Sequence, residues 1–388
     1  MRPYLPPHGA AVSGPNRVER IIERVRSLTT REVSATLSEV RERFGTRYDD
    51  LDTVLLAGLS AVERWLPDSS ELSEDERRLI GAYFLHEYSI EGAALTNPSI
   101  VAHPNQEGLA NDVIRVLVSL RAVGEGHISS IEFRTGEIGP GGEIEIAEPA
   151  SPAAGKRDTP LFDKAVFNAK LEELETDGDL IHIALSSLPD QFTMADLDAV
   201  LSTLESSPHV STGAQQVIHT MHWLASSNYE MTFASDTDVS QRILTPSGPA
   251  ESQGMEDARF VQFTESDGST SYYGTYTAFD GFNVLPQLIE TTDFRSFRIA
   301  TLNGSAAVNK GIALFPRRIE GRYAALGRSD GESNWLMMSD HVRFWEDADQ
   351  IQVPARPWEL IQIGNAGTPI ETEAGWLVIT HGVGPIRQ

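Results

Sequence analysis

The chain has 388 residues, 40% of them hydrophobic, and carries 56 acidic against 31 basic residues for a formal charge of −25. That length supports a large core and more than one domain, while the acidic balance argues against nucleic acid or an anionic membrane as a partner. No cysteine is present, which excludes disulfides, thiolate metal sites, iron–sulfur clusters and thiol catalysis.

Residues 1–15 are rich in Pro and Gly and read as an irregular arm. Met1 to Ser13 lacks the basic and apolar regions of a secretory signal, and no apolar run approaches the ~20 residues a bilayer requires. A cytoplasmic protein is therefore expected. From Asn16 to about Ile90 the pattern is helical. Val18, Ile21, Ile22, Val25 and Leu28 fall at helix spacing. Thr29 with Glu32 and Ser73 with Glu76 form capping boxes. They precede the apolar faces Val33, Leu37, Val40, Phe44 and Leu79, Ile80, Tyr83, Phe84. A helical N-terminal domain over 1–90 is expected.

The period then changes to that of strands, at Ile100-Val101, Val116 to Leu120 and Ile128 to Phe133. Residues 136–157 read as a loop. A helical insertion follows at about 158–226, with candidate helices at Pro160 to Leu174, after the Thr193/Asp196 cap, and at Ala214 to Leu224. From Tyr229 onward the chain returns to strands and turns. The expected class is thus mainly β, over 91–388, interrupted by that insertion.

The β part repeats itself. Asp257 to Phe263 returns through Tyr272 to Gly281. Lys310 to Pro316 returns through Tyr323 to Gly331. Gly367 to Ile370 returns through Trp376 to Gly384. The starts lie 53 and then 57 residues apart, and a weaker copy runs from Asn97 through Arg121 to Gly124. Four strands per ~40–50 residues is the size of a propeller blade. Arg121, Ala278, Arg328 and His381 each precede a Gly by three residues. Asn97, Asp257, Lys310 and Gly367 begin their units. Equivalent positions lie around one axis, so one acid and up to four cations (Arg121, Lys310, Arg328 and a protonated His381) are expected to converge on one funnel and form an anion site. For any one of these residues a turn cap or plain ion pair is about as frequent; the agreement among copies favours a site.

Other motifs weigh less. His219 and His222 share a helix without a third ligand, so no metal is expected. Asp236 and Asp238 read as a turn. Trp65, Trp223, Trp335 and Trp345 read as packing before sugar platforms. The run from Gly136 to Gly142 lacks a phosphate-loop pattern.

These pieces, in order, resemble glycoside hydrolase family 130, the β-mannoside phosphorylases and related β-mannosidases. Gly254-Met255-Glu256-Asp257-Ala258-Arg259 is similar to the family's Glu-Asp-Pro-Arg motif. Tyr273 to Ala278, then Lys310 to Pro316 with Gly321-Arg322-Tyr323 and Arg328, then Gly375 to Val383, are similar to its following strands. The resemblance covers roughly 91–135 and 229–388. Ala258 stands where proline is usual, Gly311 where Asp or Asn is usual, and Glu256 where some members have Tyr. The resemblance implies a five-bladed β-propeller, which the count of about three and a half blades ending at Gln388 leaves incomplete at the C-terminus. It implies an inverting hexosyltransferase-type phosphorylase in which inorganic phosphate attacks a terminal β-mannoside to give mannose 1-phosphate. One acid suffices, because phosphate needs no general base.

By motif match that acid is Asp257, acting through a sugar hydroxyl. The phosphate ligands are Arg121, Lys310, Arg328 and His381, and Asn97, Arg259 and Glu256 contact substrate. No cofactor is implied beyond phosphate as co-substrate; the partners are β-mannosides and phosphate. Hydrolytic members lack several of the basic ligands and carry carboxylates there to activate water, so Arg, Lys, Arg and His favour phosphorolysis. The open alternatives are a β-mannoside hydrolase on the same fold and a non-catalytic glycan- or protein-binding propeller. The apolar helical faces allow either a homo-oligomer or a cover over the funnel.

Overall fold

The computed structural model describes residues 1–3, 17–48, 50–66, 72–174, 178–205 and 212–387. Most of the expected N-terminal arm, and Gln388, lie outside them. The fold is mainly β, with eight α-helices among the described residues. The chain divides into two compact units, Met1–Ser89 and Ile90–Gln388.

In the first unit, helices Arg17–Arg26, Thr30–Phe44, Leu51–Ser60 and Glu74–Tyr83 enclose one apolar cluster. Both capping boxes form: the Thr29 and Ser73 hydroxyls accept from the Glu32 and Glu76 amides, and each Glu carboxylate accepts from the cap amide. Each box satisfies two N-terminal donors that would otherwise lack a partner. Val18, Ile22, Val25, Leu37 and Leu79 are buried as the helical spacing requires. Tyr83 departs from it: 47% exposed, it ends its helix, and Phe84 takes the buried place.

The second unit is built from antiparallel sheets. Ala94–Ala102, Ile114–Val123 and Ser129–Ile138 form one ladder with Ile144–Ile146 at its edge. Gly254–Thr264, Thr270–Phe279, Val284–Thr291 and Ser296–Thr301 form a second, extended by Tyr229–Thr232 and Lys156–Asp158. These two join through a single parallel pair, Gly254 with Ser129. Gly254 has φ +137°, and a Cβ there would stand 2.5 Å from the Ser129 hydroxyl, so the close approach requires glycine. A four-stranded sheet follows over Ala313–Leu314, Tyr323–Gly327, Asn334–Ser339 and Asp347–Gln352. Two short ladders complete the unit, Gln362–Asn365 with Thr380–Val383 and Ile370–Thr372 with Gly375–Leu377.

The strand pattern departs from expectation in three places. Residues 136–157, read as a loop, contain edge strands. The third repeat is not one long hairpin, because the strand after Gly375 breaks at 378–379 and His381 pairs with Gly364 instead. Ala278 is not the counterpart of Arg121. Thr96 faces Arg121 just before one β-bulge, and Glu256 faces Thr277 just before another, so Thr277 holds the matching position. Ala278 points the opposite way, into the core. A one-residue slip reverses the face of a strand residue, and distance to the next Gly does not measure register.

The helical segment has its own apolar cluster, with Phe162, Phe167 and Phe192 ring to ring. It is tied to the sheets by Lys170, whose Nζ donates to the Leu302 carbonyl at 2.9 Å. His222 pairs with Asp198 at 3.0 Å. Asp238 caps a short turn, and Trp345 is fully buried. Among the described residues no cluster suited to a metal ion occurs, and no helix is long and apolar enough to cross a membrane.

Candidate active site

The bulge in Gly254–Thr264 falls between Glu256 and Arg259 and lifts Asp257 out of the ladder at φ 56°. The strand Ala94–Ala102 bulges in the same way between Thr96 and Ser99, with Asn97 at φ 50°. Asp and Asn tolerate this left-handed backbone better than other side chains, and bulges often re-aim functional groups. Asn97 and Asp257 are thus structural counterparts, as their places in the repeat indicated.

Charged groups gather around Asp257. Arg121 reaches over from the middle strand of the first ladder, its Nη1 donating to Asp257 Oδ1 at 3.0 Å and its Nη2 to Glu256 Oε1 at 2.7 Å. Lys310 donates to the other Glu256 oxygen and lies 5.7 Å from the Phe279 ring centroid. Arg259 turns the other way, to the Gly311 carbonyl at 2.8 Å and to Asn365 Oδ1. Asn365 Nδ2 also donates to the Gly311 carbonyl, at 2.8 Å. Gly311 has φ +88°, a left-handed backbone that favours glycine at this position.

Arg328 and His381 complete the cluster. The Arg328 guanidinium feels the Asp257 charge, yet it makes no hydrogen bond or ion pair to any described residue, and its Nε is buried without a partner. Burial pulls Arg328 below the usual arginine range, against the charges of Asp257 and Asp330. Arg259 is brought down to about 10, by burial first and by Arg328, against Asp257. His381 is lowered by burial, then by Arg259 and Arg328. These influences favour the neutral imidazole, so the conditional fourth cation, His381 when protonated, is disfavoured in this arrangement.

The structure therefore brings together Asp257, Glu256, Arg121, Lys310, Arg328, Arg259 and His381. Asn97 is exposed and stands on a neighbouring groove of about 460 Å³ that it lines with Asp257, Arg259, Thr368 and Glu371. Four cations face Asp257 and Glu256, with Asp330 also acting on Arg328, so the cluster keeps a small positive excess on an acidic chain. One supporting group escaped the sequence reading. Glu251 is fully buried and accepts from Tyr229 and Tyr276 and from the Ser247 and Gly248 amides. Burial pushes its carboxyl upward. It anchors the strand that carries Thr275 and Thr277. Nothing local marks it, because its tyrosines lie 22 and 25 residues away.

Residues 226–388 match the family model of glycoside hydrolase family 130, described as beta-1,4-mannooligosaccharide phosphorylase. The resemblance to family 130 holds. The beta-1,2-mannobiose phosphorylase of Listeria innocua is 32% identical over 147 residues, 36% of this chain and 39% of that protein. The 1,2-beta-oligomannan phosphorylase of Thermoanaerobacter sp. is 34% identical over 137 residues, 34% of this chain and 43% of that protein. The chain thus spans less than half the length of these relatives. The solved Listeria innocua enzyme with beta-1,2-mannobiose aligns over 74% of this chain and 69% of its own, at 20% identity and a TM-score of 0.34.

Proposed function

We propose that this chain is an inverting glycoside phosphorylase that cleaves a terminal β-mannoside with inorganic phosphate and releases mannose 1-phosphate. The observation that carries the reading is the unpaired Arg328 guanidinium in one cluster with Arg121, Lys310 and Asp257. A half-buried cation without a partner is costly, and a bound anion supplies the missing partner. Phosphate is the anion that the names of the family 130 relatives suggest.

The chemistry follows from charge. A phosphate oxygen attacks the anomeric carbon from the face opposite the leaving sugar, the carbon–oxygen bond to that sugar breaks, and the configuration inverts. Arg121, Lys310 and Arg328 hold and neutralise the phosphate, and neutral His381 contributes one hydrogen bond. The proton for the leaving oxygen comes from Asp257 through a sugar hydroxyl. Asn97, Arg259 and Glu256 are assigned to the substrate side. On this reading the four β units are blades of a five-bladed propeller and the groove by Asn97 opens on its funnel. Residues 1–90 and about 158–226 are helical additions to the catalytic part.

Hydrolysis requires a carboxylate free to take a proton from water. Glu256 is the second carboxylate here, but Arg121 and Lys310 each hold one of its oxygens, which supports phosphate over water as nucleophile. The reading is tested in the synthetic direction, with mannose 1-phosphate and a panel of mannose and glucose acceptors. Release of phosphate with formation of a β-linked disaccharide is expected. Failure with every acceptor would overturn it.

A further inference from the structure

A second cavity, of about 240 Å³, lies away from the cationic cluster, between the helical segment and the strand Ser296–Thr301. Phe162, Val166, Phe167 and Leu224 form the helical wall; Arg298, Ala300, Asn303 and Arg343 form the other. Several polar groups in this lining are already engaged. Asp163 caps its helix through the Ala165 and Val166 amides at 3.0 and 3.1 Å. Lys170 is held by Glu173 at 2.7 Å and by the Leu302 carbonyl. Asn228 is bonded to Leu224 and Thr301.

Three groups are not engaged. The guanidiniums of Arg298 and Arg343 are partly buried, and neither makes a hydrogen bond or an ion pair with any described residue. Glu290 and Glu230 stand opposite Arg298 in the ladders, yet neither carboxylate comes within 4.0 Å of it. Burial first, and then the neighbouring Arg298, lower the Arg343 guanidinium from its ordinary range, against the charges of Glu290 and Asp163. The third is Asn303, 1% exposed, whose Oδ1 has no donor. Elsewhere on this acidic chain arginines such as Arg41, Arg78, Arg134, Arg317 and Arg322 are paired with carboxylates. Two adjacent arginines left unpaired beside a cavity, with a buried acceptor also unsatisfied, have unmet demand for an anion and for a hydroxyl.

We propose that this cavity binds a small hydroxylated anion, a phosphorylated or carboxylated sugar-sized molecule. Its anionic group lies between Arg298 and Arg343, and one hydroxyl donates to Asn303 Oδ1. The volume is that of a monosaccharide-scale ligand rather than an oligosaccharide. The site is independent of the cluster around Asp257 and does not rest on the phosphorylase reading.

The test is calorimetric titration of the full chain with glucose 6-phosphate, gluconate and neutral glucose. Both anions, or one of them, should bind in preference to glucose; the stronger of the two identifies whether phosphate or carboxylate is the natural group. Arg298→Gln and Arg343→Gln should each weaken that binding about tenfold or more, with unchanged thermal melting showing that each variant is folded. Lys310→Gln, in the other cluster, should leave unchanged the component of binding that the two arginine variants weaken. Binding lost in Lys310→Gln but retained in the two arginine variants would place the anion in the other cluster and overturn the proposal. Equal binding of glucose, or no binding of any of the three, would overturn it as well.

Discussion

Arg121 and Asp257 lie 136 positions apart and meet in an ion pair, Nη1 to Oδ1 at 3.0 Å. The same guanidinium holds Glu256 at 2.7 Å, so one arginine fixes both carboxylates of the candidate site. Arg121→Gln removes both pairs while Lys310 still holds Glu256. Initial rates against phosphate concentration should show the phosphate KM raised by about tenfold or more, with kcat also reduced. Unchanged phosphate dependence would remove Arg121 from the phosphate site.

Asp257→Asn separates chemistry from fold. Asn keeps the shape and tolerates φ 56°, as Asn97 does at φ 50° on the matching bulge. The melting temperature should therefore stay within a few degrees, while kcat falls by about 10²–10⁴-fold as expected for loss of a general acid. A variant with ordinary turnover would move the acid elsewhere.

Asn365 is 2% exposed and joins Arg259 to the Gly311 carbonyl. Asn365→Leu deprives the Arg259 guanidinium of an acceptor in a buried setting. Denaturant unfolding should show a loss of about 2–3 kcal/mol. A change of less than about 0.5 kcal/mol would mean that water replaces the amide there.

Glu132 and Arg134 are 2% and 5% exposed and pair at 2.8 Å, with Glu91 on the same guanidinium. Burial, then the hydrogen bond with Glu91, raises Glu132 from 4.5 to about 7. A raised carboxyl contributes stability that is fully present below its unfolded value and is lost as pH rises through the folded one. Stability from this group should therefore decline between pH 4.5 and about 7. Glu132→Gln cannot ionise, so the variant should gain on the native chain in unfolding free energy as pH rises through that window. Parallel curves would contradict the assignment.

Local signals in the sequence were reliable wherever the physics is local. Thr29 and Ser73 cap helices because a hydroxyl and a Glu three residues on suffice. The hairpins at Asp257 and Asn97 were legible from alternation and repeat, and so was the gathering of Arg121, Lys310 and Arg328 around the segment that carries Glu256 and Asp257. Register was not legible: a single bulge residue shifts the pairing, so Ala278 went to the core and Thr277 to the place opposite Glu256. The lowering of His381 comes first from burial and then from Arg259 and Arg328, which reach it from distant parts of the chain. Glu251, Tyr229 and Tyr276 are each ordinary in sequence and become a network only when three segments meet.

The most direct measurement of the central claim is product analysis on β-1,2- and β-1,4-mannobiose with and without inorganic phosphate. The expected result is mannose 1-phosphate, formed only when phosphate is present, in proportion to the mannoside consumed. Free mannose released at the same rate without phosphate, and no sugar phosphate with it, would contradict the account.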